Sequence, residues 1–166
     1  VSFVFMDFLS TNLRYFNYIA VMTIFFEVIL YVADIRKKVK SNDLKSISVY
    51  MIIFIGLMQA LAIVPGVSRS GIVITAALLV NFSREDSVKI AFLLSIPAIF
   101  MATVYQSVQL YSIGDYEIFS EHLLGVTLSF IASYLTIYFF IKTISKISFT
   151  PYVIYRLFLG FILLGI

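Results

Sequence analysis

The sequence predicts an all-α integral membrane protein, a polytopic helical bundle with one re-entrant helical hairpin. Three observations carry that expectation. Hydrophobic residues make up 61% of the chain and charged residues 13%, with a mean hydropathy of +1.04, against about 45–50% apolar content in soluble domains. Apolar runs long enough to match a hydrocarbon core of about 30 Å alternate with short polar loops. One apolar stretch is broken at Pro65-Gly66 and followed by a run too short to cross alone. A soluble fold could not cover this much apolar surface. The chain has no Cys, which excludes a disulfide framework and a thiolate metal site, so helix packing in lipid has to hold the fold. The net charge of +3 and pI near 9.1 do not point to nucleic acid, because the basic residues sit beside apolar runs rather than along one amphipathic face. They are topology signals.

Residues 1–166 read as a single transmembrane domain. The chain opens on Val1 without the n-region, h-region and cleavage site of a secretory signal, and Val1 to Phe8 resemble the tail of an earlier apolar helix. The expectation is a carboxy-terminal part of a longer protein or a reading frame that starts internally.

Tyr15 to Val32, interrupted only by Asn17 and Glu27, would span about 27 Å as a helix and is the first expected crossing. The loop after it, with Arg36, Lys37, Lys38, Lys40 and Lys45, is cytoplasmic by the positive-inside rule. Ile47 to Val64 ends at Pro65-Gly66, where Pro lacks an amide donor and Gly permits positive φ. Ile72 to Phe82 gives about 16 Å of helix, a half-helix. Ser83 is an expected N-cap with Asp86 in capping-box position, opening a long helix from Arg84 to about Leu110 with Pro97 as its kink. The loop from Tyr111 to His122 carries Asp115, Glu117 and Glu121 but no Lys or Arg, and is placed outside. Leu123 to Ile141 crosses back to a loop with Lys142 and Lys146, and Tyr152 to Ile166 returns outward. Between the inside loop at Arg36 and the outside loop at Asp115 the number of crossings must be odd. The Arg84 helix supplies one, so the Ile47 and Ile72 segments form a re-entrant hairpin whose tip is Pro65 to Gly71.

An Arg at membrane depth costs at least about 2.5–3.5 kcal/mol, so Arg69 should face protein, water or an anionic ligand. Ser68 and Ser70 supply hydroxyls, Gly66 and Gly71 let a ligand approach the backbone, and a half-helix beginning near Ile72 aims free amides at the loop. Such a cradle suits a diphosphate, whose oxygens the planar guanidinium matches two at a time. The alternative is structural: Arg69 binding helix carbonyls and the serines satisfying local backbone. A serine nucleophile needs a base, and His122 sits at the outer end of a span, the place of an interfacial residue. Glu27, inside a span, must pair, protonate or serve an ion, and Arg69 is one partner for it.

The stretch Gln59-Ala60-Leu61-Ala62-Ile63-Val64-Pro65-Gly66-Val67-Ser68-Arg69-Ser70-Gly71 closely resembles the undecaprenyl-diphosphate phosphatase family of bacitracin-resistance type. The resemblance continues through Phe82-Ser83-Arg84-Glu85, Ala91-Phe92-Leu93-Leu94-Ser95-Ile96-Pro97-Ala98, Ser148-Phe149-Thr150-Pro151, Ile154-Tyr155-Arg156 and Gly160. It implies a multi-pass bacterial inner-membrane enzyme that removes the terminal phosphate of a polyprenyl diphosphate lipid, for cell-wall synthesis, on a fold of two inverted repeats. It makes the tip the second of two re-entrant hairpins. Arg69, Ser68 and Ser70 become the catalytic candidates, and Gly66, Ser68, Arg69, Ser70 and Gly71 the diphosphate-binding set. A divalent cation, Mg or Ca, is implied by the family, and a homo-oligomer is left open.

Two departures stand out. The family pattern Ser-Arg-Ser-x-x-Thr has Val73 in the Thr position, while Thr75 lies about 200° further round a helix. Val73→Thr is therefore expected to strengthen diphosphate binding and Thr75→Val to do little. The family's Glu-rich motif with its Ser and His, the acidic source for a cation, has no match in this chain, and Glu27 does not replace it by position. The chain alone is expected to be inactive or nearly so. The competing expectation is a non-catalytic polyprenyl-phosphate binder or transporter built on the same half-helix.

Overall fold

The computed structural model describes residues 16–36, 42, 44–113, 118–144 and 146–164. Among them the regular structure is helical: α1 Phe16–Ile35, α2 Val49–Ala60, α3 Arg69–Leu79, α4 Arg84–Ile113, α5 Ile118–Ile144 and α6 Thr150–Leu164, with 3-10 turns at Leu44–Ser46 and Leu61–Ile63. Three stretches are long and apolar enough to cross a membrane, Asn17–Ile35, Arg84–Gln109 and Gly125–Ile144. The chain is an all-α membrane protein. The basic Lys37, Lys38 and Lys40 and the acidic Asp115 and Glu117 lie outside the described residues.

Length separates α2 and α3 from the others. They have 12 and 11 residues, about 18 and 16 Å of helix, well short of a bilayer core. Between them Gly66 adopts φ +94, ending the apolar run where Pro65-Gly66 predicts a break. α3 begins at Arg69, three residues before the expected Ile72, because Ser68 rather than Gly71 caps it.

α3 is the centre of the packing. Residues 71–78 are all buried, and the helix touches α1, α2 and α4. Its core side chains Ile72, Val73 and Leu78 lie with Leu30, Ile55, Phe149 and Val153. A helix buried all round has to be apolar all round, and its only polar side chain in that stretch, Thr75, donates to the Gly71 carbonyl at 2.7 Å. Its end is a Schellman motif: Asn81 takes φ +68, the Asn81 amide donates to Leu78 and the Phe82 amide to Ala77, both at 3.0 Å. Phe82 then drops into the core at 0% exposure.

Ser83 starts α4 as its sequence foretells. Its Oγ accepts from the Asp86 amide at 3.0 Å and donates to the Asp86 carboxylate at 2.9 Å. The helix continues through Pro97 to Ile113. α5 begins at Ile118, five residues before the expected Leu123, and Lys142 belongs to its last turn rather than to a loop. Side chains 125–139 of α5 and 99–109 of α4 are exposed and mostly apolar.

α1 and α6 are the most extensively packed helix pair among the described residues. Lipid tails are as apolar as Leu, so helices in a membrane gain from close approach rather than from escaping water. Gly160 provides it: a Cβ there would lie 2.7 Å from Ile24 Cγ1 and 3.5 Å from the Ala20 carbonyl oxygen.

Candidate functional site

The Ser-Arg-Ser segment occupies the start of α3. Ser68 is the N-cap, its Oγ accepting from the Gly71 amide at 3.2 Å, and the first intrahelical bond runs from the Ile72 amide to the Ser68 carbonyl at 2.9 Å. That leaves the amides of Arg69 and Ser70 without acceptors among the described residues, at the positive end of the helix dipole. Ser68 Oγ and Ser70 Oγ lie 3.4 Å apart. Gly71 packs closely on the cap: a Cβ there would meet Ser68 Cβ at 3.0 Å and Oγ at 3.2 Å, so the Ser68 side chain would have to shift by a few tenths of an ångström.

Arg69 and Ser70 are exposed, and the Arg69 guanidinium has no hydrogen-bond or ion-pair partner among the described residues. This distinguishes it from the other arginines with described contacts. Arg84 is paired to Asp34 and Arg156 to Glu27. The pairing of Glu27 with Arg69, open in the sequence, is therefore replaced by Arg156 Nε to Glu27 Oε1 at 2.9 Å. Arg156 was legible in principle: it is the lone charge in the apolar run of α6 as Glu27 is in that of α1, and isolated opposite charges in neighbouring membrane helices pair. Its other nitrogens reach the Tyr152 hydroxyl at 3.3 Å and the Gly66 carbonyl at 3.1 Å.

Val73 and Thr75 are each 1% exposed. Both face the packed interior, so position 73 lies in the core rather than on the open side of the loop. The side chain of His122 is outside the described residues.

A cavity of about 430 Å³ opens beside Ser70. Ser70, Gly71 and Ile74 of α3 form one wall, and Phe92, Ile137, Phe140 and Tyr152 line much of the rest. Ser133 and Thr136 of α5 add polar side chains to the lining. A cationic, amide-rich helix start thus adjoins an apolar hollow, which suits an amphiphile with an anionic head. No group of three or more His, Cys, Asp or Glu that could hold a metal ion occurs among the described residues. Of the two buried carboxylates, Asp34 gives both oxygens to Arg84 and Glu27 gives Oε1 to Arg156, which leaves a single buried oxygen, Glu27 Oε2, without a partner among the described residues. These residues do not fit a divalent-cation cage.

A family model described as bacitracin resistance protein BacA matches residues 1–162. Similar curated proteins include an undecaprenyl-diphosphatase of Teredinibacter turnerae, 41% identical over 160 residues, covering 96% of this chain and 60% of the relative. An undecaprenyl-diphosphatase of Campylobacter curvus is 45% identical over 148 residues, 89% of this chain and 55% of the relative. One of Saccharophagus degradans is 41% identical over 154 residues, 93% and 57%. The chain thus spans less than two thirds of the length of these relatives.

Proposed function

The chain belongs to the bacitracin resistance protein BacA family, and on that premise we propose that it carries the diphosphate-binding loop of an undecaprenyl-diphosphate phosphatase in the bacterial inner membrane. The reaction releases phosphate and returns undecaprenyl phosphate to peptidoglycan synthesis. The observation that carries the reading is the unpartnered Arg69 guanidinium at the start of α3, the helix whose next two residues, Ser70 and Gly71, line the cavity of about 430 Å³. Head and tail of a prenyl diphosphate would find their complements side by side.

In this reading Arg69 grips the diphosphate oxygens and offsets charge that builds as the terminal phosphoryl group leaves. The amides of Arg69 and Ser70 add the helix N-terminus, and the hydroxyls of Ser68 and Ser70 donate to phosphate oxygens. Gly66 and Gly71 keep the backbone bare around them. α2 and α3 act as the two arms of a re-entrant hairpin that brings the loop to membrane depth. The described residues offer no ligand set for the cation that the family suggests, and the chemistry proposed for this chain runs through none.

Phosphate release from a polyprenyl diphosphate by the purified complete gene product tests the proposal. Arg69→Ala should lower turnover more than about a hundredfold, equivalent to ~2.7 kcal/mol of transition-state stabilisation; unchanged turnover would remove Arg69 from the mechanism. A second reading, lipid-phosphate binding or transport without hydrolysis, is favoured by one observation. Among the described residues Ser68 and Ser70 hydroxyls meet only each other and the Gly71 amide, so neither has a base to activate it. Movement of polyprenyl phosphate between vesicle leaflets without phosphate release would select that reading.

A further inference from the structure

The loop that carries Arg69 is held from outside by two side chains that take no part in the cradle, one of them fixed in turn by a third. The Gly66 carbonyl accepts two donors, Thr23 Oγ1 at 3.2 Å and Arg156 Nη2 at 3.1 Å. Arg156 is itself fixed by Glu27 at 2.9 Å and by the Tyr152 hydroxyl at 3.3 Å. Ile19, Thr23 and Glu27 are four residues apart along one face of α1, and that face runs beside the loop, since a Cβ on Gly66 would lie 2.5 Å from the Ile19 carbonyl oxygen. Thr23 is 5% and Glu27 2% exposed. Two helices thus converge on one peptide carbonyl, two residues before the N-cap.

A carbonyl oxygen carries partial negative charge, and a site for a diphosphate cannot tolerate one aimed into it. Gly66 is the residue at which this loop can most easily turn a peptide over, because glycine occupies either sign of φ at little cost. We propose that Arg156 and Thr23, with Glu27 holding Arg156 in place, are positioning residues that keep the Gly66 carbonyl turned toward α1 and α6, and so keep Ser68, Arg69 and Ser70 presented to the anion. The proposal rests on the loop being the diphosphate site. Lysine cannot stand in for Arg156, because three acceptors in different directions are met by the three nitrogens of one planar fork, whereas an ammonium is a single point.

Two measurements on the complete gene product in detergent test this: amide hydrogen exchange over residues 67–71 without lipid, and phosphate release from farnesyl diphosphate. Arg156→Lys should speed loop exchange about tenfold or more while α4 exchange stays as in the wild type. It should lower kcat about tenfold with a smaller change in KM. Thr23→Val, which removes one donor and no charge, should give the same pattern at about two- to fivefold. Glu27→Gln added to Arg156→Lys should cost little more, as expected of groups acting through one another. If both single variants leave loop exchange and kcat unchanged while Arg69→Ala abolishes release, the phosphatase reading stands and the positioning role falls. If the wild type releases no phosphate but loop exchange responds as described, the positioning stands and the phosphatase reading falls. Faster exchange spread evenly over α1 and α6, with kcat unchanged in the folded fraction, would overturn the positioning role in favour of a plain helix staple.

Discussion

Asp34 accepts both arms of the Arg84 fork, Nε at 2.5 Å and Nη2 at 3.1 Å, and also the Phe149 amide at 3.0 Å. One carboxylate therefore joins the end of α1, the start of α4 and the approach to α6. An acid at a helix C-terminus opposes the macrodipole, and here three donors offset that. The Asp34 side chain is 1% exposed and that of Arg84 37%, so the two deletions are not equivalent.

Removing Arg84 leaves a buried carboxylate with a single amide donor, whereas removing Asp34 leaves an arginine that water can still reach. Arg84→Ala is expected to destabilise the protein by about 3 kcal/mol, and Asp34→Ala by about 2 kcal/mol, chiefly through the stranded Phe149 amide. The double variant should fall well short of the sum. Thermal unfolding in detergent measures all three, and additive losses would show that the pair does not act as one unit.

Two glycines should respond to alanine with opposite signs. Gly66 has φ +94 and its added Cβ would meet backbone at 2.5 Å, while Gly56 in α2 has nothing within 4 Å. Gly66→Ala should cost at least about 2 kcal/mol through strain alone, whereas Gly56→Ala should gain about 0.5–1 kcal/mol of helix stability. Melting curves of the two variants decide it, and equal shifts would contradict the conformation of the loop.

Much of this was legible because membrane insertion writes its demands into short stretches. The run ending in Val32, the break at Pro65-Gly66 and the Ser83 cap each depend on residues within a few positions of one another. Helix ends were less legible. Ser68 caps α3 so that the helix starts three residues before the expected Ile72, since a Ser before Arg-Ser-Gly is equally a loop residue or an N-cap until tertiary packing chooses. Partner choice was hidden for another reason. Glu27 lies closer in sequence to Arg69 than to Arg156, but Gly160 brings α6 against α1 at van der Waals limits, and that distant approach decides which arginine Glu27 meets.

The two serines of the candidate site can be separated by what each does for the helix. Ser68 Oγ accepts the Gly71 amide, so Ser68→Ala should lower stability by about 1 kcal/mol as well as phosphate release, while Ser68→Gly should lose only a few tenths because glycine is a tolerable N-cap. Ser70 accepts no helix amide, and Ser70→Ala should affect release without a change in melting temperature. If Ser68→Gly keeps full activity, the Ser68 hydroxyl serves the fold and not the ligand.

Position 73 tests how far the family pattern can be carried onto this chain. The expectation from that pattern is that a Thr hydroxyl there would bond a phosphate oxygen, worth about 1.5–3 kcal/mol for a charge-assisted bond. Val73 is instead packed in the core at 1% exposure, and Thr75, equally buried, already spends its hydroxyl on the Gly71 carbonyl at 2.7 Å. A Thr at 73 would have the same outlet, the carbonyl four residues back, which belongs to Arg69. Val73→Thr should therefore leave diphosphate affinity within about threefold of the wild type and cost about 1 kcal/mol of stability, since a hydroxyl replaces a packed methyl. Thr75→Val should likewise leave affinity alone. Isothermal titration of the complete gene product with farnesyl diphosphate reads both. A tenfold gain on Val73→Thr would mean that α3 turns to present residue 73 to the ligand, and the open face of the cradle would then have to be redrawn around Arg69 and Val73 instead of Arg69 and Ser70.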